Sequence, residues 1–217
     1  MDKPFVFGVA ASGENFTDRK KETQRLLLNF THGINTILIS PRRWGKTSLV
    51  KKVATLADTG NRRVVYLDIF SCRTEQDFYK MFATAILKQT SSRLDEWIEN
   101  TKLFLTRISP KITMGTDPIN DFSISFELNP KDDSETDILK LPEKIAKEKG
   151  LQIVVCIDEF QQISEFEDSK TFQKKLRTAW QHLENVSFCL FGSKKHLMNA
   201  LFEKKNLPFY KFGDVIY

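Results

Sequence analysis

Three segments of the chain carry residue types that could do chemistry together. The first, Ser40-Pro41-Arg42-Arg43-Trp44-Gly45-Lys46-Thr47-Ser48, contains the tripeptide Gly-Lys-Thr. Glycine lets a backbone approach a phosphate closely, and the amino terminus of a helix offers free N–H groups. A lysine there meets the outer phosphates of a nucleotide, and a threonine hydroxyl can serve Mg2+. The second, Ile153-Val154-Val155-Cys156-Ile157-Asp158-Glu159, is an apolar run that closes on two carboxylates. At a strand end the first carboxylate can hold a magnesium ion and the second can polarise an attacking water. The third, Gly192-Ser193, places a small polar group after another apolar run, where a turn and a sensor of the γ-phosphate are equally good readings.

None of these is specific by itself. Gly-Lys-Thr/Ser arises by chance in roughly one chain in ten of this length. The first glycine of the full G-x-x-x-x-G-K-[ST] pattern is Ser40 here, and an acidic pair alone reads equally well as a solvated strand terminus. What joins them is the order of the elements that must position them. Asn35 to Ile39 reads as a strand, and Leu49, Val53, Leu56 and Ala57 form one face of a helix directly after the loop. Gln152 to Ile157 reads as a strand covered on both faces, as in a parallel sheet. Arg42 and Arg43 within the loop add positive field at the phosphates or face solvent.

Around this core, strand and helix alternate. The spacing predicts a helix within Thr17 to Phe30 capped by Asp18, and a strand from Val64 to Phe70 ending near Asp68, whose expected task is to cap the next loop. A helix carrying Phe78, Met81, Phe82, Ala85 and Ile86 follows, reaching toward Trp97. Residues 109–130 change to short β-like runs around Gly115-Thr116-Asp117-Pro118, which predicts an inserted β-hairpin. After Lys131-Asp132-Asp133 one helix with Ile138, Leu141 and Ile145 should run to Gly150. Further on come a helix with Phe172, Leu176, Trp180 and Leu183, a strand Ser187 to Phe191, a helix from Lys194 to Phe202, and a strand beginning at Asp214. Such alternation predicts a doubly wound α/β domain with its ligand crevice beyond the carboxyl ends of the strands.

Composition narrows the class. With 217 residues, 41% of them hydrophobic, the chain can bury one large core, which excludes a disordered segment. Its net charge of +5 comes from 33 basic against 28 acidic residues, interspersed, which is a mild bias toward polyanions rather than a nucleic-acid signature. Cys72, Cys156 and Cys189 lack metal spacing and read as buried thiols of a reducing compartment. His32, His182 and His196 share no metal or triad spacing. No apolar run is long enough to span a membrane and no signal-peptide pattern opens the chain, so a cytoplasmic location is expected.

These residues resemble the prokaryotic AAA+-like ATPases related to STAND proteins and the archaeal-type ATP-binding proteins. Phe16-Thr17-Asp18-Arg19 with Glu22 is similar to the family's amino-terminal box, and Ile39 to Leu49 to its double-arginine Walker A loop, in which Ser40 is a tolerated variant. Ile157-Asp158-Glu159-Phe160-Gln161 resembles the Walker B strand end, Phe191-Gly192-Ser193 the sensor strand, and Leu207-Pro208-Phe209-Tyr210 the segment after it. The resemblance implies a P-loop NTPase three-layer sandwich with a mostly parallel, ASCE-type sheet, the hairpin at about 109–130 being an insertion. It implies ATP and Mg2+ as ligands. Ser40 to Ser48 would form the nucleotide loop, Lys46 and Glu159 would be catalytic, Thr47 and Asp158 would bind the metal, and Ser193 would be the sensor.

The relatives' helical lid and winged helix do not fall within residues 1–217, and Tyr210 is followed by Lys211-Phe212 where relatives often have Gly-Arg, so no arginine finger is assigned and turnover by the isolated chain is expected to be slow. The leading function is an ATP-hydrolysing molecular switch. The alternatives are a nucleotide-gated DNA- or protein-binding module with little hydrolysis, and, ranked last, a small-molecule kinase. A homo-oligomer fits the first two.

Overall fold

The computed structural model describes residues 19–91, 96, 99, 110–114, 122–126 and 134–217. The expectations for residues 16–18, for Trp97, for the turn Gly115–Pro118 and for Lys131–Asp133 lie outside them. Helix α1 (Lys20–Thr31) precedes β1 (Thr36–Ile39), α2 (Lys46–Ala57), β2 (Arg62–Asp68) and α3 (Glu75–Thr90). Strands β3 (Pro110–Met114) and β4 (Phe122–Phe126) pair antiparallel as a separate two-stranded sheet. Then follow α4 (Ser134–Leu139), α5 (Leu141–Lys149), β5 (Gln152–Asp158), a 3-10 turn (Phe160–Glu165), α6 (Ser169–Trp180), β6 (Val186–Gly192), α7 (Lys195–Phe202) and β7 (Asp214–Ile216).

The main sheet has the order β2-β5-β6-β1-β7, and every neighbouring pair is parallel. Parallel strands need crossovers, and the crossovers bring all five carboxyl ends to one edge. β6 lies between β1, which leads into the Gly-Lys-Thr loop, and β5, which ends in the acidic pair. This is the order that the ASCE-type expectation requires.

Side chains alternate cleanly across the sheet. Ile37, Ile39, Val65, Leu67, Ile153, Val155, Ile157, Phe188 and Leu190 face the core beneath α3 to α7, while Leu38, Val64, Val154, Cys156, Cys189 and Phe191 face α1 and α2. Period-two alternation therefore places Asp158, two residues beyond Cys156, on the α2 face. The larger core is strongly aromatic. Trp180 stacks on Phe188 with ring centroids 4.1 Å apart and lies within 6.0 Å of Phe82, and Phe160, Phe209 and Phe212 close around it.

Three expectations need correction. Leu56 does not share the buried face of α2: it is 54% exposed, and Val50 joins Leu49, Val53 and Ala57 in the core instead. The strand near Val64 is Arg62–Asp68, which leaves Phe70 exposed in the following turn. The helix expected to run through Ile138 and Ile145 is two helices, because Pro142 in the first turn of α5 has no N–H and its ring would clash with the carbonyl four residues back. The three cysteines are free and buried, and Cys156 and Cys189 are register partners on β5 and β6. No helix among the described residues is long and apolar enough to cross a membrane.

Truncating Trp180 removes the ring on which both stacking partners depend. Trp180→Ala should cost about 3–5 kcal/mol in urea unfolding. Leu56→Ala, on the exposed face of α2, should shift the same curve by no more than about 0.5 kcal/mol.

Candidate functional site

The loop after β1 turns into α2 through two left-handed residues, Arg43 at φ 65° and Gly45 at φ 68°. Glycine takes that conformation at no steric cost, and Gly45 stands immediately before the first helical turn. Ser40 keeps a negative φ, so a side chain is tolerated where the common pattern has glycine. Lys46 is buried, and its ammonium folds back on the loop to donate to the carbonyls of Ser40 at 3.0 Å and Pro41 at 2.9 Å. Arg42, Arg43 and Trp44 are exposed, Trp44 at 62%.

The acidic pair meets this loop directly. Thr47 Oγ1 donates to Asp158 Oδ2 at 2.9 Å, and Tyr66 from β2 donates its phenol to the same oxygen at 2.8 Å. Asp158 Oδ1 accepts the backbone N–H of Glu159 at 2.9 Å. Asp158 is 5% exposed, and burial raises its carboxyl above the ordinary value; the bonds from Tyr66, Thr47 and the Glu159 amide oppose that shift and the nearby Asp68 carboxylate adds to it. Burial lowers the Lys46 ammonium, while Glu159 and Asp158 raise it and Arg19 lowers it further. Lys46, Asp158, Glu159 and Arg19 thus form one electrostatic neighbourhood.

Glu159 sits at φ 54°, left-handed for a residue with a full side chain, and begins the 3-10 turn. Its Oε2 accepts from the Ser193 hydroxyl at 2.9 Å, from the Ser193 N–H at 3.4 Å and from the Gln161 amide. Ser193 is therefore hydrogen-bonded to the second carboxylate. Asp68 bonds the Phe70 N–H at 2.9 Å, the capping task expected for it.

Two residues of this arrangement are not among the site residues expected from the sequence: Tyr66, which lies in no motif, and Gln161, which closes the segment that resembles the Walker B strand end. Tyr66 is the register partner of Cys156, so its ring lies diagonally before Asp158 on the α2 face, under the Lys51 ammonium. Period-two counting back from Asp68 gives its face; the strand order that makes β2 the neighbour of β5 is not in the local pattern. Gln161 is 1% exposed.

The donor set suits magnesium. Thr47 and Asp158 present hard oxygens 2.9 Å apart, and Asp158 is a buried carboxylate whose burial disfavours its charge. Among the described residues no group of three or more His, Cys, Asp and Glu could hold a metal ion.

A family model for an ATPase domain found predominantly in Archaea matches residues 16–205. The chain belongs to that ATPase family. No curated protein sequence matches it. Among solved structures, a Walker-type ATPase of Pyrococcus abyssi is similar with a TM-score of 0.61 at 17% identity, over 99% of this chain and 57% of that one. The ORC2 protein of Aeropyrum pernix, in complexes with ADPNP and ADP, gives 0.58 at 16% identity over 94% of this chain and 49% of its own. The ORC1 protein of the same organism, in complex with DNA, gives 0.53 at 14% identity over 93% and 46%. The ATPase domain thus spans about half the length of these proteins, and at such identities the likeness establishes the fold they share, that of the P-loop ATPases.

The raised carboxyl of Asp158 has a stability consequence. A folded-state value above the unfolded one favours the folded state only while the group is protonated, so that contribution is present in acid and is lost as pH rises through the folded value. The ligand-free Asp158→Asn variant should therefore gain stability over the parent as pH rises from about 4 toward 7. Melting temperatures of both proteins across that range check it, and a gap that stays constant or narrows would contradict it.

Proposed function

We propose that this ATPase domain binds Mg-ATP and hydrolyses its terminal phosphoanhydride bond, and that the exchange of nucleotide state is a switch. The observation that carries this reading is the 2.9 Å contact between Thr47 and Asp158, which come from segments 111 residues apart. A solvated strand terminus has no reason to meet the first turn of that one helix.

The loop residues Ser40, Pro41, Arg42, Arg43, Trp44, Gly45 and Ser48 surround the phosphates, with backbone N–H groups at the start of α2 aimed at them. Lys46 exchanges the Ser40 and Pro41 carbonyls for phosphate oxygens, a replacement of neutral acceptors by charged ones. Thr47 and Asp158 hold Mg2+, which when bound neutralises charge on the outer phosphates. Glu159 accepts a proton from the attacking water as its oxygen bonds to the γ-phosphorus and the bond to the departing ADP oxygen breaks. Ser193, bonded to Glu159, is placed to report the state of that carboxylate and of the γ-phosphate.

A second reading concerns output. The DNA complex of the Aeropyrum pernix ORC1 protein favours a DNA partner gated by nucleotide, and the mild polyanion bias of the +5 net charge is compatible with it. A protein partner, a homo-oligomer, a cytoplasmic location and kinship with STAND ATPases complete this proposal. A gel shift that weakens steeply with salt and depends on nucleotide supports the DNA reading, and one blind to nucleotide removes it.

Two substitutions test the enzyme. Lys46→Ala should abolish most Mg-ATP binding in calorimetry while the chain stays folded, and equal affinity in both proteins would show the loop misread. Glu159→Gln should keep the affinity and lower turnover by about 10²–10⁴-fold, the usual contribution of a positioned general base.

A further inference from the structure

Gln161 is buried to 1% exposure at the centre of the site, yet half of its amide is unsatisfied. Its Nε2 donates to Glu159 Oε2, while its Oε1 has no donor among the described residues. The amide lies directly over Gly192. A Cβ built on Gly192 would stand 1.7 Å from Gln161 Oε1 and 2.9 Å from its Cδ, so the space a side chain would take at 192 is filled by the glutamine. Burying an amide with half its capacity unmet is unfavourable, and an apolar residue of the same volume would avoid that penalty. What the amide supplies instead is a fixed donor on a carboxylate, a stronger bond than one between neutral groups.

The pattern of bonds on Glu159 gives this donor a purpose. Gln161 Nε2, Ser193 Oγ and Ser193 N–H all converge on Oε2. No described residue donates a hydrogen bond to Oε1. The left-handed backbone at Glu159 and the 3-10 turn that carries Gln161 are what bring the two side chains together within three residues.

We propose that Gln161 is a positioning residue for Glu159: with Ser193 it clamps Oε2, leaving Oε1 as the oxygen that takes the proton from water, and Gly192 is glycine because the Gln161 amide occupies its side-chain space. This rests on the reading of Glu159 as the base.

Single-turnover ATP hydrolysis and Mg-ATP calorimetry on the whole chain test it. Gln161→Ala should slow turnover by about 10–100-fold, the scale on which a misplaced catalytic group loses rate, with affinity for Mg-ATP unchanged. Gln161→Met keeps the volume without the donor and should behave the same, which guards against loss by poor folding. Gly192→Ala should slow turnover comparably by displacing the amide, and should add nothing in the Gln161→Ala background, where the colliding atoms are gone. In the Glu159→Gln background Gln161→Ala should have no further effect. Parent-like turnover of Gln161→Met beside an impaired Glu159→Gln overturns this inference alone. Parent-like turnover of Glu159→Gln overturns the base and the inference together. An equal loss from Gln161→Ala with and without Glu159 shows that it acts through the fold, which also overturns it.

Discussion

The hydrogen bond from Thr47 to Asp158 is the contact on which the site depends, because it joins the start of α2, the helix that follows β1, to the end of β5, a strand that is not β1's neighbour. β1 and β5 are separated by β6, so their ends meet only if the register of three strands is right. Side chains alternate with a period of two, and a one-residue slip of β5 would carry Asp158 to the opposite face, away from α2. The alternating split of the two cores, Val154 and Cys156 with α1 and α2, Val155 and Ile157 with the remaining helices, makes that slip expensive. Apolar burial far from the chemistry thereby fixes where one carboxylate points.

Several of the residues gathered there are locally unfavourable. Arg43 and Glu159 hold left-handed backbones, as does Arg19 beside the loop, which leaves Lys211 as the one other non-glycine residue of this kind among those described. Each such residue costs about 1–2 kcal/mol. Burial disfavours the charge of Asp158, and Gln161 Oε1 has no donor among the described residues. With domains stable by only about 5–15 kcal/mol in total, these features persist because the aromatic cluster around Trp180 and the strand β5, buried from Ile153 to Asp158, over-determine the fold around them.

Much of this was legible in the chain itself. β1 and β5 are legible because each is a short apolar run that leads into chemically distinctive residues, and the helices after them because Leu49, Val53 and Ala57, or Phe172, Leu176 and Trp180, repeat at helical spacing. Tyr66 and Gln161 could not be found in that way. Tyr66 acts on Asp158 only through the adjacency of β2 and β5, a property of strand order. Gln161 acts through a 3-10 turn that follows a left-handed residue, and no apolar periodicity announces such a turn. The split at Pro142 is of another kind: the missing N–H of proline is visible in the chain, but the apolar spacing of Ile138, Leu141 and Ile145 carries through it and masks the break.

The electrostatics of the site constrain the order in which its ligands can be accommodated. Lys46 is pulled in two directions, lowered by burial and by Arg19 and raised by Glu159 and Asp158, and in the free protein its ammonium is satisfied by two loop carbonyls. A polyphosphate entering by itself gains Lys46 but brings its charge toward the carboxylates of Asp158 and Glu159. Its arrival together with a divalent cation reverses the sign of the second encounter, because a bound cation becomes the largest local charge and offsets the burial that disfavours the charge of Asp158. On the proposed reading Thr47 is the residue common to both halves, at the start of the helix that would face the phosphates and hydrogen-bonded to the carboxylate that would face the metal. On the proposed reading, recognition of the phosphates and of the cation are therefore one event at this site, and Glu159 Oε1, to which no described residue donates, is the part of the arrangement left over for the water.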